Sequence, residues 1–178
     1  LKSNGAVVGW GYSYYATPPN GLSGVTAIAA GSHHSLALKS DGTVICWGAG
    51  TTNTGTTPNL GQSIVPAGLS GVRKVSAGFG HTVVLKSDGT VQAWGLNRTG
   101  QCNVPVGLAG VLAVSAGETH TLAVRGDRSV VCWGSNQNGQ RNVPASLGAV
   151  QFAAAGGYHN IAIRSTGTVA CWGHNFSG

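Results

Sequence analysis

The chain has 178 residues, ten Lys or Arg against four Asp or Glu, and a formal net charge of +6. Charged residues are only 8% and glycine is 30 of 178, against ordinary shares of about 25% and about 7%. However, 42% hydrophobic residues and five tryptophans argue for a packed, turn-rich structure rather than a disordered one. No stretch approaches the ~20 apolar residues of a bilayer span, and neither a basic-then-apolar leader nor a Met opens the chain. On this reading either a leader was removed or the chain is a piece of something longer.

Residues 1–11, ending in Trp10-Gly11, read as the second half of a repeating unit. A connection over 12–19 follows, carrying Tyr12, Tyr14 and Tyr15 (three of the four tyrosines) and then Pro18-Pro19. The first complete unit then shows its stations: Ala30-Gly31-Ser32-His33-His34, an apolar run, Lys39, Asp41-Gly42-Thr43-Val44, and Trp47-Gly48. His34, His81, His120 and His159 recur at steps of 47, 39 and 39 residues, and Trp47, Trp94, Trp133 and Trp172 recur at the same steps. A period near 40 residues means stacked copies of one small unit, so fold and function are read from that unit.

The cleanest copy spans 72–101. Its runs 72–77, 81–86 and 91–94 predict short β-strands, broken by Gly78-Phe79-Gly80 and by Ser87-Asp88-Gly89-Thr90. Asp-Gly there suits the positive-φ positions of a tight hairpin. A polar loop, Asn97-Arg98-Thr99-Gly100-Gln101, leads to the next unit. Each unit is thus a small antiparallel sheet of three or four strands. Such a sheet cannot bury both faces alone, and radial stacking into a β-propeller solves this while leaving only short edges. The expected fold class is all-β. It forms one repeat domain over 1–178, with a partial unit 1–11, full units at about 12–48, 49–95, 96–134 and 135–173, and the start of a further connection at 174–178.

Ala-Gly-x-x-His, a short apolar strand, Asp-Gly-Thr-Val and Trp-Gly-x-Asn-x-x-Gly-Gln together resemble the regulator of chromosome condensation repeat. The short, uniform units look most like bacterial members of that family. The resemblance implies a propeller, usually seven-bladed, that works by binding through its loops. Four and a half units fall short of seven. The expectation is therefore part of a larger ring, closed by further repeats or by another chain.

The equivalence of the four histidines argues against a metal site, because ligands of one ion converge within a few Å whereas equivalent positions diverge around a ring. They are expected to be structural imidazoles bonded to backbone groups between strands, leaving His33 and His174 off the pattern. Cys46, Cys132 and Cys171 share one station and Cys102 lies in a connection. Stacked sheets are about 10 Å apart, too far for a disulfide, so free thiols are expected. Three of the four acidic residues (Asp41, Asp88 and Asp127) sit in hairpin turns, and no carboxylate pair or nucleophile–base pair stands out. No enzyme, cofactor or metal is expected. Lys2, Lys39, Lys86, Arg125 and Arg164 share a station beside the hairpin turn, as solvated residues or as an anion-binding arc.

Function is sought where the copies differ. The connection at 12–19 lacks the Asn-x-x-Gly-Gln pattern, and the one after Trp47 carries an insertion of about eight residues that includes Thr52 and Asn53. Both should emerge on the same face as Arg98, Gln137 and Phe176. The predicted partner-binding residues are Tyr12, Tyr14, Tyr15, Thr52, Asn53, Arg98, Gln137 and Phe176, since Tyr and Arg dominate binding hot spots. The alternative is a Tyr-Pro cluster that caps a neighbouring blade. The leading expectation is a protein-binding module, extracellular or at the cell surface. The alternatives are a glycan-binding or cell-surface structural protein and, last, chromatin binding or nucleotide exchange. The sequons at Asn97 and Asn175 fall on repeat positions, which explains them without a glycan.

Overall fold

The computed structural model describes residues 1–175. Four three-stranded antiparallel sheets follow one another along the chain: β1 Val25–Ala30, β2 His34–Lys39 and β3 Val44–Gly48; β6 Val72–Ala77, β7 His81–Lys86 and β8 Val91–Gly95; β9 Val111–Ala116, β10 His120–Arg125 and β11 Val130–Gly134; β12 Val150–Ala155, β13 His159–Arg164 and β14 Val169–Gly173. Between the first two sheets lies a small hairpin, β4 Asn53–Thr56 and β5 Asn59–Leu60. It is formed by the insertion read from the sequence. Two expectations need adjusting. Residues 1–11 form no strand, and the first connection holds a single helical turn, α1 Ser13–Ala16.

The registers repeat like the sequence. In every sheet the station histidine pairs with the glycine after the tryptophan, as in His34 with Gly48 and His81 with Gly95. The inner strand is bulged near its first residue in all four sheets. At the opposite edge, the Oδ1 of Asp41, Asp88 and Asp127 each accepts the backbone N–H and the hydroxyl of the residue two further on, which closes the hairpin. The next turn position needs φ > 0 and is Gly42, Gly89 or Gly167 in three sheets, but Arg128, at φ 68°, in the third.

Packing is between sheets rather than within them, as the small size of each unit demands. Leu36, Leu38 and Val44 of the first sheet pack on Val72 and Val84 of the second. Leu85 packs on Val111, Ala123 and Trp133, and Leu122 and Val124 pack on Val150, Ala153, Ala162 and Trp172. Val7 and Leu22 cover Val25, Ala37 and Trp47 on the far side of the first sheet.

A polar ladder runs through these apolar layers. His34 Nε2 lies 2.9 Å from Thr82 Oγ1, His81 Nε2 3.1 Å from Thr121 Oγ1, and His120 Nε2 2.9 Å from Asn160 Oδ1. Thr82, Thr121 and Asn160 donate to the carbonyls of Gln62, Gln101 and Gln140, which also receive the indole N–H of Trp94, Trp133 and Trp172. Each threonine hydroxyl has spent its one proton, and the Asn160 oxygen has none. The histidines must therefore donate from Nε2, which excludes the Nδ1–H tautomer, and the buried Nδ1 of each ring, unpartnered among the described residues, favours the neutral Nε2–H form over the imidazolium. Burial agrees, lowering the pKa of His34 to about 4 and of His81 to about 3 and moving His120 in the same direction. The partners are thus side chains of the next sheet, and not the backbone groups expected from the sequence. Gly31, Gly78 and Gly117 leave room for these rings, since a Cβ at any of them would collide with the imidazole and with a neighbouring carbonyl.

All four cysteines are free. Burial pushes Cys46, Cys102 and Cys132 up to about 12, which makes them inert packing groups. Among the described residues, no helix is long and apolar enough to cross a membrane.

Candidate functional site: the face of the inter-sheet connections

The His-to-Gly pairing places the inner-strand turn (Gly31, Gly78, Gly117 and Gly156) and the outgoing connection at the same edge of every sheet. Connections 49–63, 96–103 and 135–142 therefore share one face with those turns, and the contacts of Tyr15 with Ser35 and His33 bring 12–19 to the same face. In the regular connections a buried glutamine shapes the loop, Gln101 Oε1 accepting the N–H and hydroxyl of Thr99 and Gln140 Oε1 the N–H of Asn138. Asn97 and Asn136 do the same from outside, each donating to an asparagine six residues on and accepting a backbone N–H five residues on. Asn136 is not in a sequon, so this shared role accounts for Asn97.

The first connection breaks this design. Gln62, Gln101 and Gln140 stand twenty residues before Thr82, Thr121 and Asn160, and the residue twenty before Ser35 is Tyr15. The Tyr15 carbonyl takes over part of the role by accepting the Ser35 hydroxyl at 2.9 Å. The indole N–H of Trp47, which would complete the pattern, is buried without a partner among the described residues. With no glutamine side chain to build a loop, the chain coils into α1, and the three tyrosine rings gather at the surface. Tyr15 lies 5.1 Å from Tyr12 and 5.3 Å from Tyr14 between centroids. The cluster continues edge-on to His33 at 5.6 Å and from His33 to Phe79 at 5.0 Å. Tyr12 and Tyr14 are 70% and 56% exposed.

The structure thus brings Tyr12, Tyr14 and Tyr15 together and adds His33 and Phe79, which the sequence reading had not placed in a site. Arg98 reaches back across a sheet boundary to donate from Nη2 to the Gly55 carbonyl at 2.7 Å. Its guanidinium is tied to the insertion hairpin, where Thr52 and Asn53 are exposed. Gln137 is exposed on its own connection. Phe176 lies outside the described residues. Beside the aromatic cluster, a groove of about 260 Å³ follows the inner strands and is lined by Ser32, Phe79, Glu118 and Gly157 among others. Glu118, the one acidic residue outside the hairpin turns, holds the Tyr158 hydroxyl above its ordinary pKa through a hydrogen bond and its charge. Among the described residues, no group of three His, Cys, Asp or Glu is placed to hold a metal ion.

On the opposite face the basic station is partly neutralised. Lys39 Nζ lies 3.3 Å from Asp41 and Lys86 Nζ 3.6 Å from Asp88. Exposed pairs of this kind contribute little to stability, but they dilute a continuous anion-binding arc.

The model of the regulator of chromosome condensation (RCC1) repeat matches four times, at residues 25–53, 72–101, 111–140 and 150–178. The chain belongs to the RCC1 repeat family. No curated protein matches it in sequence. Among solved structures it is similar to Prp20p of Saccharomyces cerevisiae, described with its binding properties to Gsp1p and histones, at 20% identity and TM-score 0.70 over 92% of this chain and 46% of that one. It is also similar to human WBSCR16, at 24% identity and TM-score 0.70 over 84% and 47%. A third is the CRINKLY WD40 ectodomain of the Arabidopsis thaliana receptor kinase ACR4, at 25% identity and TM-score 0.64 over 84% and 49%. The chain spans about half the length of these structures. The sheets described above are RCC1-type propeller units.

Proposed function

We propose that this RCC1-repeat protein is a non-enzymatic binding module that holds a protein partner on the face of its inter-sheet connections, with Tyr12, Tyr14 and Tyr15 as anchors and His33 and Phe79 as their support. The observation that carries this reading is the gathering of three tyrosines at the one junction where the glutamine-built loop is missing. Tyr12 and Tyr14 pack on Tyr15, which meets His33 edge to face, and His33 rests in turn on Phe79, although an unbuttressed surface tyrosine has no reason to be ordered. Amphipathic rings with few rotatable bonds are what central contact residues are made of. Arg98, Thr52, Asn53 and Gln137 belong to the neighbouring rim of the same face. Prp20p is described as binding Gsp1p and histones and is recorded with Kap60 bound to it, so proteins are the partner class its relatives favour. No relative points to a glycan.

A photo-reactive amino acid at position 14 tests this directly, with the same group at Thr166 on the opposite face as the control. In extract from the native source, position 14 should capture a discrete protein that position 166 does not. Tyr12→Ala combined with Tyr15→Ala should abolish the capture while the far-ultraviolet circular dichroism stays unchanged. Equal capture at both positions, or capture indifferent to the two alanines, refutes the assignment.

A further inference from the structure

The turns that carry Gly31, Gly78, Gly117 and Gly156 come from all four sheets and line one groove of about 260 Å³. Apart from Phe79 and Glu118, its walls are alanine, glycine and Ser32. Two side chains therefore give the groove its chemistry, an aromatic ring and a carboxylate. They stand on the second and third sheets, each of which packs against a neighbour on both sides within the chain. Their place at the groove thus belongs to the interior of the repeat array and not to its first or last unit.

Charge decides what the groove can hold. The N–H groups of Gly31, Gly78, Gly117 and Gly156 are spent on the carbonyls of His34, His81, His120 and His159. Those of Ser32 and Glu118 are spent on the carbonyls of Gly78 and Gly157. Little is left to cradle an anion, whereas Glu118 brings a carboxylate. Among the described residues, the ion pairs are Lys39 with Asp41 and Lys86 with Asp88, so no basic side chain of the chain answers Glu118. The carboxylate is held in place. It lies over Gly157, where an added Cβ would stand 3.3 Å from Oε1, and it accepts the Tyr158 hydroxyl. That one proton leaves lone pairs on its two oxygens for a further donor. The volume is below the ~300 Å³ at which small-molecule pockets begin, and it matches a single long side chain.

We propose that this groove takes an arginine side chain of the protein partner, its guanidinium on the Phe79 ring and its N–H groups on Glu118. The assignment rests on the protein-binding reading above and adds the chemistry of one contact residue. A planar guanidinium stacks on a ring and bonds a carboxylate at once, which the compact ammonium of lysine does less well. The probe is Nα-acetyl-arginine amide, followed through the backbone amide signals of Phe79, Glu118 and Gly157 at constant ionic strength. These signals should shift saturably, and Nα-acetyl-norleucine amide, which lacks the charge, should leave them in place. Glu118→Gln, which can still accept from Tyr158, should weaken the arginine probe by about tenfold. Phe79→Leu should weaken it by about threefold, and the circular dichroism of both variants should stay unchanged. Equal shifts with the norleucine probe, no saturable shift with arginine, or an affinity indifferent to Glu118→Gln overturns the proposal. The titration needs no partner, so its failure leaves capture at position 14 standing. Capture that fails beside a successful titration removes the protein-partner reading alone.

Discussion

Lowering the pH from 7 to 5 should cost this fold about 4 kcal/mol through His34 and His81. Both rings are buried as neutral Nε2–H tautomers, with pKa values lowered by desolvation to about 4 and about 3, against an ordinary value of about 6.5 in the unfolded chain. A base with a depressed pKa in the folded state contributes stability that is complete above the unfolded value and is lost as the pH falls toward the folded one. At pH 5 the unfolded chain has taken up nearly one proton at each site and the folded chain almost none. Stability therefore falls by about 1.4 kcal/mol per pH unit per histidine. Integrated from pH 7 to pH 5, this gives about 2 kcal/mol for each ring, with His120 adding in the same direction. The hairpin aspartates act in a lower window, below about pH 4, because the hydroxyls of Thr43, Thr90 and Ser129 hold their carboxyls down. Urea unfolding at the two pH values measures the loss by linear extrapolation. His81→Gln, whose amide can still donate to Thr121, should remove about 2 kcal/mol of the difference. A total loss under about 1 kcal/mol, or a His81→Gln variant that keeps all of it, would show that the buried imidazoles are not the neutral donors the ladder requires.

Two further outcomes follow from places where the repeat breaks its own pattern. Trp94→Phe deletes an indole N–H bonded to the Gln62 carbonyl, whereas Trp47→Phe deletes a buried N–H with no partner. In equilibrium unfolding, Trp94→Phe should therefore be the more destabilising by about 1–2 kcal/mol, and equal losses would refute the reading of Tyr15 as a substitute for glutamine. Arg128→Gly should stabilise by about 1 kcal/mol, because a non-glycine residue at φ 68° carries a steric penalty that glycine at the same station avoids. A thermal midpoint that falls in this variant would contradict it.

The repeat made the sheets legible from the sequence, because a period near 40 aligned the Asp-Gly turns, the tryptophans and the apolar runs, and each alignment constrained the others. What it concealed was direction across the sheets. His34 and Thr82 lie 48 residues apart, and no periodicity says whether a side chain answers a neighbour in its own sheet or in the next one. The histidines were legible as scaffold, but their partners were not. The β4–β5 hairpin was visible only as extra length, since its sequence has neither strict alternation nor an Asn-Gly turn.

The aromatic site shows the same boundary. Tyr12, Tyr14 and Tyr15 stood out because their connection lacked the glutamine motif. His33 and Phe79 occupy variable positions inside the otherwise regular Ala-Gly-x-x-His turn, so the rule that function lies where copies differ applies to them equally. Position by position, that turn reads Ser32-His33, Phe79-Gly80, Glu118-Thr119 and Gly157-Tyr158, which makes it the most variable segment within the regular part of the unit. The turn lies at the same edge of each sheet as the outgoing connections, so its variation and theirs compose one surface. The scaffold needs the glycine and the histidine that flank these two residues, for the ring and the room it occupies, and it also holds Gly80 small, since a Cβ there would meet buried Leu60 at 2.7 Å, but it leaves the side chain at Phe79 and its equivalents free to vary. On the binding reading proposed above, those side chains are the ones that would set which partner each junction meets. Phe79→Glu, which copies the residue of the third turn and leaves Gly80 in place, should alter binding at that junction and leave the sheet beneath it intact, and unchanged binding would contradict this.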